Sequence, residues 1–146
     1  MIAIRELTDA DLARVDAVLP LSRLDTAQTY FIAWDENAPV GHAHLAWLGT
    51  HLGEPEVQDV FVLPARRRQG IATLLTRACE DAARERGHQH ISLSVSSEQN
   101  PGARRLYEAL GYGDAQVAPV RVRSTIRLRG APFAIDDTLV YLQKEL

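Results

Sequence analysis

Val60-Phe61-Val62-Leu63-Pro64-Ala65-Arg66-Arg67-Arg68-Gln69-Gly70-Ile71-Ala72-Thr73-Leu74-Leu75 is the stretch on which the fold turns. An apolar, β-branched run ends at Pro64, which cannot extend a strand ladder. A basic turn follows. From Gly70 onward the apolar residues change spacing: Ile71, Leu74, Leu75, Ala78, Cys79 and Ala82 recur as on one face of a helix, and Gly87 closes it. The unpaired N–H groups at such a helix start carry partial positive charge and form an anion site. Gly70 has no Cβ to keep an anion away, Ala72 is the next smallest choice at a second close-approach position, and Arg67 and Arg68 add charge. A solvated arginine turn would carry the same residues. Neither G-x-x-x-x-G-K-S/T nor G-x-G-x-x-G occurs, so two other phosphate-binding turns are excluded.

Upstream, Ile2 to Arg5 reads as a strand. Thr8 reads as an N-cap with Asp9 and Asp11 in the first turn; Leu12, Val15, Val18 and Leu19 share a helical face that Pro20 ends. Residues 21–28 are ambiguous. Thr29 to Trp34 and Val40 to Leu48 form a hairpin across Asp35–Pro39, and Gly49 to Pro55 is a loop before a strand from Glu56 to Leu63. Downstream come a strand from His90 to Val95, a loop over 96–101, and a short helix marked by Ala103, Leu106, Tyr107 and Leu110 that ends at Gly111. Strands over 120–129 and 138–144 follow, separated by Gly130-Ala131-Pro132. The order predicts one α/β (α+β) domain over residues 1–146, with a mixed, mostly antiparallel sheet of six to seven strands flanked by helices.

The 146 residues suit one domain, and 46% apolar residues can build a core. Net charge −3 gives no general attraction to nucleic acid or an anionic membrane. The charge is uneven: residues 1–60 carry three arginines against ten acids (−7), and residues 61–146 carry thirteen basic residues against nine acids (+4). A positive second half suits an anionic ligand. Cys79 is the single cysteine, so no internal disulfide forms; a reducing, cytoplasmic setting fits, with no signal-like or membrane-spanning apolar run.

Arg67-x-x-Gly70-x-Ala72, entered from Val60–Pro64, resembles the Q/R-x-x-G-x-G/A signature of the GNAT acetyltransferase superfamily. Asn100-Pro101-Gly102-Ala103-Arg104-Arg105-Leu106-Tyr107-Glu108-Ala109-Leu110-Gly111-Tyr112 resembles that family's N-x-x-A-x-x-L-Y-x-x-x-G-F/Y block, at the usual distance and in the usual order. Asp136 to Lys144 is similar to a common closing strand. The resemblance spans roughly residues 2–144 and is sharp over 56–112. It implies a sheet splayed at the cofactor site and an N-acetyltransferase that uses acetyl-CoA, releases coenzyme A, needs no metal, and acts on an amine acceptor; a homodimer is common in the family.

Carried onto this chain, the resemblance implies that the backbone of Val60, Phe61 and Val62 pairs with the pantetheine arm. The amides of Arg68, Gln69, Gly70, Ile71, Ala72 and Thr73 would meet the pyrophosphate, with Arg67 at the first signature position. Asn100 matches the asparagine that contacts the arm, although Asn before Pro is also an ordinary cap or loop residue. Tyr107 matches the tyrosine that protonates the departing thiolate; its structural alternative is a core tyrosine on the stripe of Ala103, Leu106 and Leu110. Glu56 matches a glutamate used as base by some members. Asp59, Glu54 and a water relay remain alternatives, and Asp59 by alternation faces elsewhere. The later-strand glutamate of other members is absent, because that position is Val95.

His42 and His44 share a strand face and could start a metal site, but no third ligand is evident, and surface or cleft positions are expected for them and for His51. Trp34 and Trp47 read as core, and Cys79 as buried and inert. The acidic first half suggests a substrate side that favours a cationic amine, with residues 21–28 and 49–55 as candidate walls. Two rival readings are a non-catalytic acyl-CoA-binding sensor, against which Tyr107 and Asn100 speak, and a nucleic-acid binder using arginines 66–68 and 121–129, disfavoured by the net charge.

Overall fold

A computed structural model of the chain describes residues 1–19, 21–22, 28–128 and 131–146, the Leu128 side chain excepted. Among the described residues eight strands form one sheet: β1 (Ile2–Glu6), β2 (Thr29–Asp35), β3 (Ala38–Ala46), β4 (Glu56–Val62), β5 (His90–Ser96), β6 (Gly113–Asp114), β7 (Val120–Leu128) and β8 (Ala131–Glu145). The helices are α1 (Leu12–Val18), α2 (Ile71–Glu85) and α3 (Pro101–Ala109). The strand order is β1-β2-β3-β4-β5-β8-β6, with β7 also on β8. Every pairing is antiparallel except β4 with β5.

The expected mixed, mostly antiparallel α/β sheet is present with one strand more than the six to seven anticipated. The extra strand, β6, is two residues long, too short to leave a periodic signal. β8 begins at Ala131, seven residues before the expected strand, because its first half pairs with β7 in a two-stranded ribbon. Ala131 and Pro132 therefore lie inside β8; Gly130 and Arg129 fall outside the described residues. α1 starts later than its sequence suggested. Thr8 to Asp11 form a turn, the Thr8 hydroxyl donates to Asp11, and Asp11 holds the N-cap position without a side-chain capping bond. Pro20, expected to stop this helix, and residues 23–27 of the ambiguous segment also lie outside the described residues.

The sheet is covered on both faces, and strand alternation decides which residue serves which side. On one face Ala33, Ala43, Leu45, Val57, Leu93 and Leu142 pack with Ile71, Leu75, Cys79 and Ala83 of α2 and with Tyr107 of α3. On the other, Tyr30, Ile32 and Trp34 pack under Val15, Leu19 and Leu21. α2 is rotated slightly from the simplest reading of its apolar residues: Leu74 is 41% exposed, while Thr76 and Glu80 are buried. Glu80 is tolerated inside because it accepts hydrogen bonds from Tyr112 Oη (2.9 Å) and Lys144 Nζ (3.0 Å). Among the described residues no helix is long and apolar enough to cross a membrane.

Candidate active site

β4 and β5 are joined by two residue pairs, Glu56 with Ser92 and Val57 with Leu93, and beyond Val57 their ladder stops. A bulge drives them apart. Register between β3 and β4 slips between His42 and His44, and Asp59 adopts a left-handed φ of 47°. A non-glycine residue there bends the strand and raises its twist. The outer edge of Val60, Phe61 and Val62 is thus left without a strand neighbour while β3 still pairs the inner edge, with Phe61 opposite His42 and Val62 opposite Gly41. Gly41 is required at that crossing, because a Cβ there would lie 2.9 Å from the Phe61 carbonyl oxygen.

After β4 a single 3-10 turn, Pro64–Arg66, leads into the basic turn. Arg68 (φ 65°) and Gly70 (φ 78°) are both left-handed. Alternating backbone hands of this kind point successive N–H groups into one concavity, the geometry of an anion nest. A Cβ added to Gly70 would meet nothing within 4 Å, so the space in front of the α2 N-terminus is open. The three arginines divide their work. Arg66 is ion-paired with Asp35 at the end of β2, and this guanidinium holds the Asp35 carboxyl below the usual carboxylate range. Arg67 Nε donates to the Val62 carbonyl (2.9 Å) and its guanidinium lies 5.5 Å from the Phe61 ring centre, tying the turn to the strand end. Arg68 has no ion pair among the described residues.

Two cavities meet at this break in the sheet. The larger, 670 Å³, is lined by every residue expected for the cofactor except Gln69: Val60, Phe61, Val62, Arg67, Arg68, Gly70, Ile71, Ala72, Thr73 and Asn100. Arg66, Gly102, Ala103 and Leu106 line it as well. The smaller, 380 Å³, is lined by Glu56, Gln58, Asp59, Ser94, Ser96, Leu139 and Tyr141, among others. Val60, Asn100, Ala103 and Tyr107 border both. Asn100 precedes α3 in a left-handed conformation (φ 49°) and makes no side-chain capping bond. Tyr107 is 9% exposed and its ring meets that of Tyr112 edge-on at 6.0 Å. Burial pushes its phenol up to about 12, the Cys79 thiol adds to this, and Thr76 offsets part of it.

Glu56 is 7% exposed. Its Oε2 accepts from Gln58 Nε2 (2.7 Å), and its Oε1 is buried without a hydrogen-bond partner among the described residues. The charge of Glu56 also helps burial to raise the Tyr141 phenol. Glu54 is held by Gln143 outside the cavity. Asp59 corrects the alternation argument: the bulge at its own backbone turns it into the same cavity as Glu56, and its carboxylate lies 3.9 Å from His42 Nδ1. His42 and His44 are not surface groups. They are buried, 0% and 2% exposed, on the sheet face under α1, against Tyr30 and Phe61. His51 is exposed and stacks on Tyr141 at 4.4 Å. Trp34 and Trp47 are core, and burial raises the Cys79 thiol. Of the candidate acceptor walls, residues 49–55 line neither cavity, and Ser22 reaches the site through Asp59 Oδ2 at 3.5 Å. Gln58, Ser94 and Tyr141 were missed by sequence reasoning; the one signal was the serine alternation in β5, Ser92-Leu93-Ser94-Val95-Ser96.

This chain belongs to the acetyltransferase (GNAT) family, whose model matches residues 3–112. Among solved structures it is similar to an IAA acetyltransferase from Bacillus cereus (15% identity, all of both chains, TM-score 0.72). It is also similar to a GNAT family acetyltransferase from Elizabethkingia anophelis with acetyl-CoA bound (17% identity, 99% of this chain and 98% of that one, TM-score 0.72). A third is the ribosomal-protein-S18-alanine N-acetyltransferase of Escherichia coli (18% identity, 99% and 94%, TM-score 0.72). No curated protein matches the sequence.

Proposed function

We propose that the protein is an N-acetyltransferase that moves the acetyl group of acetyl-CoA to a primary amine. The observation that carries this reading is the break between β4 and β5, where an unpaired strand edge, an anion nest and the Tyr107 phenol border one cavity. Bound acetyl-CoA would supply a thioester whose carbonyl carbon accepts the amine. The open edge of Val60–Val62 suits the amides of a pantetheine arm, as an added strand would. The Val62 carbonyl is already taken by Arg67, so Val60 and Phe61 carry more of that pairing. The nest at Arg68 and Gly70 suits a pyrophosphate, and its open space accommodates one. An Elizabethkingia relative of the same fold is described with acetyl-CoA bound, and an Escherichia coli relative of the same fold is named as an alanine N-acetyltransferase of ribosomal protein S18.

The smaller cavity is the acceptor side. Glu56 and Asp59 make it anionic, which favours an amine that arrives as an ammonium ion. An ammonium must lose a proton before it attacks, and Glu56, which lines this cavity and has an unpartnered Oε1, suits that role. Tyr107 sits between the two cavities. Its phenol, at about 12, stays protonated at any physiological pH. A thiol near 8.5 is the stronger acid, so the role that suits Tyr107 is donation of a hydrogen bond that stabilises the negative charge developing on the departing sulfur. The supporting experiment is thiol release from acetyl-CoA by purified protein across spermidine, an aminoglycoside and peptide amines. Turnover with one class supports the reading. Tight acetyl-CoA binding with no turnover across the panel would favour the non-catalytic sensor.

A further inference from the structure

Glu56, Gln58 and His44 form one hydrogen-bonded row across β3 and β4, and its chemistry allows few arrangements. The pleat sets Glu56 and Gln58 on the same face of β4, and register sets His44 directly opposite Gln58. Gln58 Nε2 donates to Glu56 Oε2 at 2.7 Å, and Gln58 Oε1 lies 3.0 Å from His44 Nδ1. An ionised carboxylate can only accept, so the amide must turn its NH2 toward Glu56. Its oxygen then faces His44, which must donate from Nδ1. The His44 ring is itself held edge-on against Tyr30, with ring centres 4.8 Å apart.

We infer that Gln58 and His44 are positioning residues for Glu56, which lines the acceptor cavity: they occupy one carboxylate oxygen and leave the other, Oε1, without a partner. The inference rests on the reading of Glu56 as the base. Burying a carboxylate oxygen without a partner is costly in a resting protein, and the cost is relieved when a ligand N–H arrives. Without Gln58 the carboxylate could rotate and divide its lone pairs among other neighbours, so the amine would meet a less ordered acceptor. Loss of the row should therefore reduce kcat more than it weakens binding of acetyl-CoA, which lies in the other cavity.

The experiment combines spectroscopy that needs no substrate with kinetics. Long-range nitrogen–proton NMR of the full chain, with the His44 signals identified by their loss in His44→Gln, is expected to show His44 protonated at Nδ1. In Gln58→Met that preference should disappear. With acetyl-CoA and the fastest amine of the panel above, Gln58→Met should lower kcat about ten-fold, with KM for acetyl-CoA held within about two-fold. Gln58→Glu keeps an acceptor for His44 but sets a carboxylate against Glu56. It should retain the Nδ1 proton yet lose kcat, and it decides the question if Gln58→Met does not fold. The inference is overturned if wild-type His44 carries its proton on Nε2. It is equally overturned if the Gln58 variants turn over normally while Glu56→Gln falls about a hundred-fold. Normal turnover in Glu56→Gln is a different result: it removes the base assignment, and this inference with it.

Discussion

The two cavities on either side of the sheet break are built from different material. The larger gathers features that the backbone path sets: the open edge of β4, the left-handed turn at Arg68 and Gly70, and the first turn of α2. The smaller gathers residues from three strands that are neighbours in the sheet and far apart in the chain, with Glu56 and Gln58 from β4, Ser94 and Ser96 from β5, and Leu139 and Tyr141 from β8. A main-chain site tolerates many side chains as long as the backbone keeps its path. A side-chain site can be retuned one residue at a time without disturbing the fold. That difference suits a common cofactor on one side and a particular acceptor on the other.

The comparison can be broken most sharply at Gly70. A carboxylate there would enter the open space before α2 and repel a diphosphate. Gly70→Asp should weaken acetyl-CoA binding by about a hundred-fold or more by calorimetry, since the loss combines charge repulsion with an obstructed nest. Near-normal affinity would show that the nest is not the anion site.

Gly41→Ala attacks the same cavity from behind. Its Cβ would press on the Phe61 carbonyl oxygen, so stability should fall by about 2 kcal/mol in denaturant unfolding, within the range for overpacking. An unchanged midpoint would mean that β3 and β4 can separate freely at the bulge.

Tyr107 tests the boundary between the cavities. Tyr107→Phe should lower kcat about ten-fold with acetyl-CoA affinity retained. An equal loss of affinity would make it a wall of the cofactor cavity and nothing more.

The smallest effect concerns alkaline stability. The folded Tyr107 phenol sits at about 12, above its ordinary value near 10, so the folded state holds its proton more tightly than the unfolded chain. Its contribution is fully present below about pH 10 and is lost as pH rises toward 12. The melting temperature should drop over that window, and less steeply in Tyr107→Phe. Identical slopes in the two proteins would show that Tyr107 is not held as a buried neutral phenol; Tyr112, also pushed up by burial and by Glu80, would account for what slope remains.

Much of the cofactor side could be read from residue order because it is local. Pro64, Gly70, Gly87 and the apolar spacing around them define strand, turn and helix within residues 60–87, and each acts through its own backbone. Asn100 was singled out as part of a contiguous block and Glu56 by its offset on the strand before the turn, and both line the smaller cavity. The acceptor side was harder. Alternation put Asp59 on the wrong face because a bulge is a pairing event between two strands, visible only when both are present. His42 and His44 read as surface or cleft residues because nothing near them in the chain announces that α1 covers that face. Tyr141 and Gln58 lie 83 positions apart and meet in one cavity through the strand order β4-β5-β8.

The chain by itself determined where a basic turn would lead into a helix start, since helix starts and glycine conformations follow from neighbouring residues. Only the tertiary structure decided where the sheet opens, which Glu56 oxygen is left without a partner, and which side chains share the second cavity. Those depend on register and strand order, which join residues that the sequence keeps far apart.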